Sequence, residues 1–189
     1  MKINELIAKR YSSVSFSSEE IAPEIIHQLI EAASWSASAR NEQPWRFIIG
    51  MKGKDRFYQR IYESLAETNQ LWAVHAPVLI VTLARMAYEY QGRPNHYAWH
   101  DVGLATSNLL LQATDFGLRT HPMGGFDKNY ITEQFDLPEI YEPVTVIALG
   151  RAGKTENLPE ELQNREKKER RRREFNELVY SGSSDFWRR

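Results

Sequence analysis

Apolar residues recur at helical spacing in five segments of this chain, each flanked by polar stretches. The predicted helices lie over residues 2–10, from Pro23 onward, over Phe57–Leu65, over Tyr97–Phe116 and near Tyr130–Phe135. Proline favours the first turn of a helix, because its missing N–H has no partner there in any case. Gly117 follows the long segment, and glycine at that position ends many helices.

Three short runs are apolar throughout instead of alternating. They lie at Phe47–Met51, Val78–Ala84 and Pro143–Gly150. A strand that is apolar on both sides is typical of a sheet covered on both faces. We therefore predict an α+β protein with its sheet buried between helical layers, and a chain of 189 residues predicts one domain over 1–189.

Composition narrows the function classes. The 24 Lys and Arg nearly balance 25 Asp and Glu, so the total charge predicts no nucleic-acid partner. The absence of cysteine excludes disulfides, thiolate nucleophiles and cysteine-based metal sites. No apolar run is long enough to span a bilayer, and the amino terminus does not resemble a signal peptide. These features predict a soluble cytoplasmic protein with no membrane partner.

Two segments carry candidate chemistry. Arg10 and Ser12 place a cation and a hydroxyl at the end of the first helix, where they could hold a phosphate. Arg10 could equally neutralise that helix end, where cations are favoured. The loop Ser38–Trp45 is rich in small and polar residues, which let a backbone approach a flat ring closely. Together the segments predict a phosphorylated aromatic cofactor.

The same segments resemble motifs of the flavin-dependent nitroreductase family. Arg10–Phe16 is similar to its opening Arg-Arg-Ser-Val-Arg-x-Phe, and Ser36–Trp45 to its loop Ala-Pro-Ser-x-x-Asn-x-Gln-Pro-Trp. The resemblance implies a central, mainly antiparallel sheet and an intertwined homodimer with two sites at the interface. It also implies bound FMN, with NADH or NADPH as electron donor.

The resemblance further assigns residues to the cofactor. The phosphate end would comprise Arg10, Ser12, Arg172 and Arg173, and the neighbouring Tyr11 and Val14 are also expected to bind the cofactor. Here Arg10 and Ser12 match the phosphate ligands, and the two C-terminal arginines match a basic pair that completes the site. The family's usual proline is replaced by Glu174, so the register of that pair is defined to within about one residue.

The ring end of the cofactor is assigned in the same way. The residues expected near the ribityl chain and ring edge, from the partner subunit, are Trp35, Ala37, Ser38, Ala39 and Asn41. The segment Pro122, Met123, Gly124 and Gly125 is similar to the family segment beside flavin N5, and we expect the Gly125 N–H to be the donor. A glycine pair is otherwise typical of a plain turn.

One position departs from the family pattern. Val14 stands where the family usually has Lys or Arg facing the flavin N1–O2 edge. A cation there would stabilise negative charge on the reduced ring, which valine cannot do. Either another residue such as Arg40 supplies the charge, or the reduction potential is lower than usual.

Two further features were weighed. His96 and His100 are four residues apart on a predicted helix, but a catalytic zinc needs a third protein ligand, so no metal site is expected. Tyr88 and Tyr90 lie in a polar excursion that often roofs the substrate pocket in nitroreductases. They could stack on flat substrates or simply anchor the loop.

The resemblance implies an FMN-dependent NAD(P)H oxidoreductase. Such enzymes pass hydride through flavin N5 in two half-reactions to a small electron-poor acceptor, such as a nitroaromatic or a quinone. We expect no protein acid, base or nucleophile. The motifs leave open another redox role on the same fold (reductive dehalogenation, dehydrogenation or flavin processing), a non-catalytic flavin-binding protein, or an arginine-tailed partner-binding domain without cofactor. They also leave open the acceptor and the choice of nicotinamide.

Overall fold

The computed structural model describes residues 3–90 and 92–179. Over these residues the chain forms eight α-helices, which are α1 Glu5–Lys9, α2 Pro23–Ser34, α3 Arg56–Ser64, α4 Glu67–Ala73, α5 Ala98–Asp115, α6 Lys128–Gln134, α7 Glu160–Lys167 and α8 Phe175–Leu178. The four strands are β1 Trp45–Met51, β2 Val78–Arg85, β3 Arg119–Met123 and β4 Tyr141–Gly150. Within the described residues, none of the helices is both long and apolar enough to cross a bilayer.

The strands form one antiparallel sheet in the order β1-β2-β4-β3. The two central strands are the apolar runs identified in the sequence, because a strand buried on both faces must be apolar on both sides. The α+β class and the antiparallel sheet are therefore confirmed. The edges of the sheet are β1 and β3, and each edge leads into one of the predicted cofactor-binding segments.

Two hydrophobic clusters cover the two faces of the sheet. On one face α2 and α5 pack with Leu29 and Leu109, which are fully buried. On the other face α3, α4, α6 and α7 pack around Ile61 and Trp72, also fully buried. The predicted helical layers on both sides of the sheet are confirmed.

The sequence patterns missed one strand and three helices, which are β3, α4, α7 and α8. The strand β3 has the sequence Arg-Thr-His-Pro-Met, which is polar and contains Pro122. Proline is tolerated in a strand at the sheet edge, where its missing N–H removes no ladder bond. The short helix α4 follows α3 after a break at Leu65 and Ala66, where the Ala66 N–H donates to the Gly125 carbonyl at 3.0 Å.

Local signals explain the helix boundaries. Asp55 caps α3 by accepting hydrogen bonds from the N–H groups of Phe57 and Tyr58 at 2.8 and 3.0 Å. Gly117, predicted to end α5, has a φ of 70°, which glycine adopts without steric cost. One predicted core position was wrong, since Phe57 is 38% exposed and Tyr58 is buried in its place.

Candidate cofactor site

Arg10 and Ser12 lie together beside the β3 edge of the sheet. Arg10 follows the last residue of α1, and its Nη1 donates to the Ser12 hydroxyl at 3.1 Å. The Ser12 backbone forms a parallel bridge with Thr120 of β3. The predicted cation and hydroxyl are thus adjacent and fixed to the sheet.

Further arginines approach this pair from the C-terminal segment. Arg170 donates to the carbonyl oxygens of Arg10, at 2.7 Å, and of Ala8. The pKa of Arg10 is lowered, first by burial and then by the positive charges of Arg170 and Arg172. Among residues 3–90 and 92–179, no carboxylate lies within 4.0 Å of the Arg10 guanidinium. We call Arg10, Arg170 and Arg172 the cationic cluster; its unneutralised charge suits an anion.

The predicted basic pair is therefore placed only in part. Arg172 belongs to the cationic cluster because its charge helps to lower the Arg10 pKa, whereas Arg173 is not among the causes of that shift; both side chains are exposed. Arg170, which the sequence comparison passed over, bonds the backbone of Arg10 directly.

Tyr11 and Val14 have packing roles. The Tyr11 hydroxyl donates to the Glu166 carbonyl at 2.7 Å, and burial followed by the Glu166 charge raises the Tyr11 pKa. Val14 is 1% exposed and packs in the core with Phe16 and Trp72. The Val14 side chain is therefore part of the core, and its expected contact with a cofactor stays a prediction.

His121, which no sequence motif pointed to, sits beneath the same segment. Its Nδ1–H donates to the Ser13 carbonyl at 2.8 Å, so its Nε2 is the acceptor for Arg165 at 3.3 Å. The ring packs against Trp72 with centroids 4.5 Å apart. Burial is the main reason that the His121 pKa is lowered, which keeps the ring neutral at pH 7.

The predicted ring-contacting loop has an unusual backbone. Arg40, Asn41 and Gln43 have φ values of 57°, 58° and 48°, which non-glycine residues adopt at a steric cost. The Ser38 hydroxyl accepts a hydrogen bond from the Gln43 N–H at 3.0 Å and closes the loop. Strained backbone of this kind clusters at functional sites and persists only where the surroundings hold it.

A buried carboxylate on α5 holds this loop. Oδ2 of Asp101 accepts the Ala39 N–H at 2.9 Å, and the residue is 2% exposed. Its other oxygen faces His100 Nδ1 at 2.9 Å. In the described part of the chain, no three His, Asp or Glu side chains come together as a metal site. His100 therefore supports Asp101, and sequence gave no signal for the contact with the loop.

The tyrosine-bearing excursion is docked on the same loop. The Glu89 N–H donates to the Glu42 carboxylate at 2.8 Å, and the Arg40 guanidinium lies 6.0 Å from the centre of the Tyr88 ring. Tyr90, in contrast, is 71% exposed. The contacts around Tyr88 fit an anchoring role, whereas stacking of either tyrosine on a substrate stays a prediction.

Two glycines, Gly124 and Gly125, leave the main chain exposed directly after β3. The Gly125 carbonyl accepts from the Ala66 N–H and from Asn69 Nδ2, both at 3.0 Å. The Gly125 N–H donates to no other described residue, and the space where a Cβ of Gly124 would point is empty to 4 Å. Pro122 and Met123 belong to β3, and Met123 is 3% exposed in the core.

The predicted residues form two separate half-sites. The cationic cluster, Ser12 and Gly124–Gly125 lie along the β3 edge, whereas the loop Ala37–Asn41 leads into β1 at the other edge. Trp35, which follows α2, lies instead near α1, where it lines a surface pocket with Leu6. Three interstrand spacings separate these edges, which is about 14 Å before the offset along the strands is added. One protomer therefore does not bring the two half-sites together.

The family model described as the nitroreductase family matches residues 7–151. The Bacillus subtilis (strain 168) protein YodC, provisionally named an NAD(P)H nitroreductase, is 35% identical over 164 residues, covering 71% of this chain and 81% of YodC. The chain belongs to the nitroreductase family, which is a family of oxidoreductases.

Solved structures agree with this assignment. An oxidoreductase containing FMN matches with a TM-score of 0.91 and 29% identity, covering 97% of this chain and 93% of its own. A protein from Exiguobacterium sibiricum 255-15, provisionally classed as a nitroreductase and crystallised with FMN, shares the fold with a TM-score of 0.78 and 21% identity. That match covers 95% of this chain and 97% of the other. The predicted nitroreductase-like fold is confirmed.

Proposed function

We propose that this chain is an FMN-dependent NAD(P)H oxidoreductase that reduces nitroaromatics, quinones or similar electron-poor acceptors. The observation that carries the proposal is the arrangement along β3. The cationic cluster lies beside Thr120, and exposed main chain follows Met123, about 10 Å further along the strand. A cofactor with a phosphate at one end of a ribityl chain and a flat ring at the other fits these two features.

The phosphate would be held by the cationic cluster and the Ser12 hydroxyl. Burial, followed by repulsion from Arg170 and Arg172, lowers the Arg10 pKa, and a dianion that binds among the arginines would relieve the repulsion. The hydroxyl of Ser12 already accepts a bond from Arg10, so its proton is free to donate to a phosphate oxygen. The cluster and the hydroxyl therefore fit a phosphate monoester.

The ring would lie against Gly124 and Gly125. The Gly125 N–H has no partner within the described residues, so it is available to donate to a ring nitrogen. The absence of a Cβ on Gly124 leaves room for a flat ring to approach the main chain. These residues orient the ring, and no side chain is needed as an acid or a base.

A second copy of the chain would complete each site. The loop Ala37–Asn41 is too far from the β3 edge within one protomer, so in a homodimer it would come from the other copy. Large apolar side chains lie exposed just before α1, on α1 and on α5, namely Ile3, Ile7 and Leu104 at 64%, 54% and 39%. Burial of these side chains would drive the association.

FMN, when bound, supplies hydride transfer between a reduced nicotinamide and the acceptor. The chain's own part is to bind the phosphate, to orient the ring through Gly125, and to hold the loop in its strained shape through Asp101. Tyr90, exposed on the excursion, is placed to contact a flat acceptor. The names of the FMN-containing neighbours and of YodC support the cofactor and the electron donor.

Purification followed by anaerobic reduction tests the proposal. We expect a yellow protein that is bleached by NADH or NADPH and regains its colour when a nitroaromatic or a quinone is added. A protein without flavin absorbance, which also fails to take up FMN, would contradict the cofactor. Rapid bleaching with no reoxidation by any acceptor would instead support another redox role on the same fold.

A further inference from the structure

We propose that Glu166 is a positioning residue for the phosphate end of the site, acting through the main chain of residues 11–14. Residue 166 lies beyond residues 7–151, which the family model matches. The inference rests on the proposed function, because it concerns the affinity for FMN. It is carried by a set of contacts between α7 and the segment that bears Arg10 and Ser12.

The Glu166 carboxylate bonds this segment at two adjacent points. Oε1 accepts the Ser13 hydroxyl at 2.7 Å, and Oε2 accepts the Val14 N–H at 2.8 Å. The carbonyl of the same residue accepts the Tyr11 hydroxyl at 2.7 Å. Three successive contacts from one residue therefore fix the path of the chain on both sides of Ser12.

The helix that carries Glu166 is itself fixed to the core. Leu158 and Leu162 are 8% exposed and pack in the same cluster as Val14 and Phe16. Beyond the helix, Arg170 bonds the Arg10 carbonyl. Glu166 thus lies between the core-packed residue Leu162 and Arg170 of the cationic cluster. From this fixed position it holds the segment that bears Arg10 and Ser12.

A purely electrostatic role and a positioning role of Glu166 predict opposite effects of its removal on FMN affinity, so the two can be told apart. If Glu166 acted only through its charge, removing it would strengthen the binding of an anion nearby. If it acts by positioning, removing it frees the Val14 N–H and leaves the Ser13 hydroxyl bonded only to the main chain of Ser15. Arg10 and Ser12 then lose their fixed relation. The binding of FMN then becomes weaker although a negative charge has been removed.

The experiment titrates flavin-free protein with FMN and with riboflavin, which lacks the phosphate, and follows flavin fluorescence. For Glu166→Ala we expect about tenfold weaker FMN binding and riboflavin binding within about twofold of wild type. Glu166→Gln keeps an oxygen for the Val14 N–H and should stay within about threefold for FMN. Glu169→Ala, an exposed carboxylate three residues away, is the matched control and should bind FMN at least as tightly as wild type.

Several results would overturn the inference. These are FMN binding by Glu166→Ala that equals or exceeds wild type, an equal loss for FMN and riboflavin, or a Gln variant as impaired as the Ala variant. Where Glu166→Ala does not fold, Glu166→Asp replaces it, because the shorter carboxylate cannot reach both partners; about threefold weaker FMN binding is expected. If the wild-type protein binds no FMN, the proposed function itself is wrong, and this result is obtained without any Glu166 variant.

Discussion

In both half-sites a carboxylate from a distant helix holds the main chain, but the two present different features to the proposed cofactor. At the β3 edge, the carboxylate of Glu166 accepts the Val14 N–H, and the segment presents unneutralised arginines. At the β1 edge, the carboxylate of Asp101 accepts the Ala39 N–H, and the loop presents strained, small-residue backbone. One half-site presents positive charge, and the other presents backbone that a flat ring can approach. This combination suits a ligand with an anionic group at one end and a flat ring at the other.

Burial also differs between the two carboxylates. Asp101 is 2% exposed, whereas Glu166 is half-buried at the surface end of α7. A fully buried carboxylate that loses its partner costs more than one that water can reach. The β1 half-site therefore depends on the folded core, and the β3 half-site depends on a C-terminal segment laid over it.

Arg10→Ala should give the largest effect. Loss of its charge-assisted bond should weaken FMN binding by about 1.5–3 kcal/mol and leave riboflavin binding unchanged. Titration of flavin-free protein with both ligands measures this. Lys9→Ala is the control, since Lys9 is exposed and pairs with Glu5 at 3.5 Å. Unchanged retention of FMN in Arg10→Ala would remove the phosphate site from this edge.

Asp101→Ala should affect both flavins alike. Freeing the Ala39 N–H should lower the free energy of unfolding by about 1–3 kcal/mol and weaken FMN and riboflavin to the same extent. Denaturant unfolding and the two titrations check this. The control is Asp115→Ala, an exposed carboxylate at the end of the same helix. A loss confined to FMN would show that the loop does not serve the ring end.

Mixing these two variants tests whether each site spans two copies. If Arg10 and the loop come from different copies, a mixed dimer contains one intact site and one doubly defective site. Random exchange of subunits should therefore restore about a quarter of the high-affinity FMN sites. Mixed protein that binds no better than the two variants alone would place both half-sites in one copy.

A smaller effect is expected from His121 and pH. Burial lowers its pKa in the folded protein, so the unfolded chain binds a proton more readily. Stability should accordingly be complete above pH 6.5, the ordinary histidine value, and fall as the pH drops below it, by about 1 kcal/mol at pH 5.

The matched variant is His121→Asn, whose amide can still donate to the Ser13 carbonyl but does not titrate in this range. Unfolding in denaturant at pH 5 and pH 7 should show a larger decrease in the free energy of unfolding at pH 5 for the wild type than for the variant. The other four histidines are common to both proteins, so their contributions cancel. An identical pH dependence would mean that His121 is protonated without cost.

Much of the fold followed from local pattern. The two central strands and α5 were predictable because buried elements must be apolar wherever they meet the core. The strand β3 was not, because an edge strand tolerates Pro122 and polar side chains. The half-sites were found from the motifs around Arg10 and Ser38, whose residue types reflect what they bind.

The carboxylates that hold these two segments could not be predicted from any sequence motif. Glu166 lies 153 residues from Ser13, and Asp101 lies 62 residues from Ala39, so neither pairing leaves a pattern in a single chain. Residue types and their spacing were enough to identify five of the eight helices in the described residues and the buried strands, and to single out Arg10 as the proposed phosphate ligand. Only the tertiary structure shows which carboxylate bonds which backbone N–H, and that the two half-sites lie at opposite edges of the sheet. Such contacts depend on how distant segments pack together, because the partners are not neighbours in sequence.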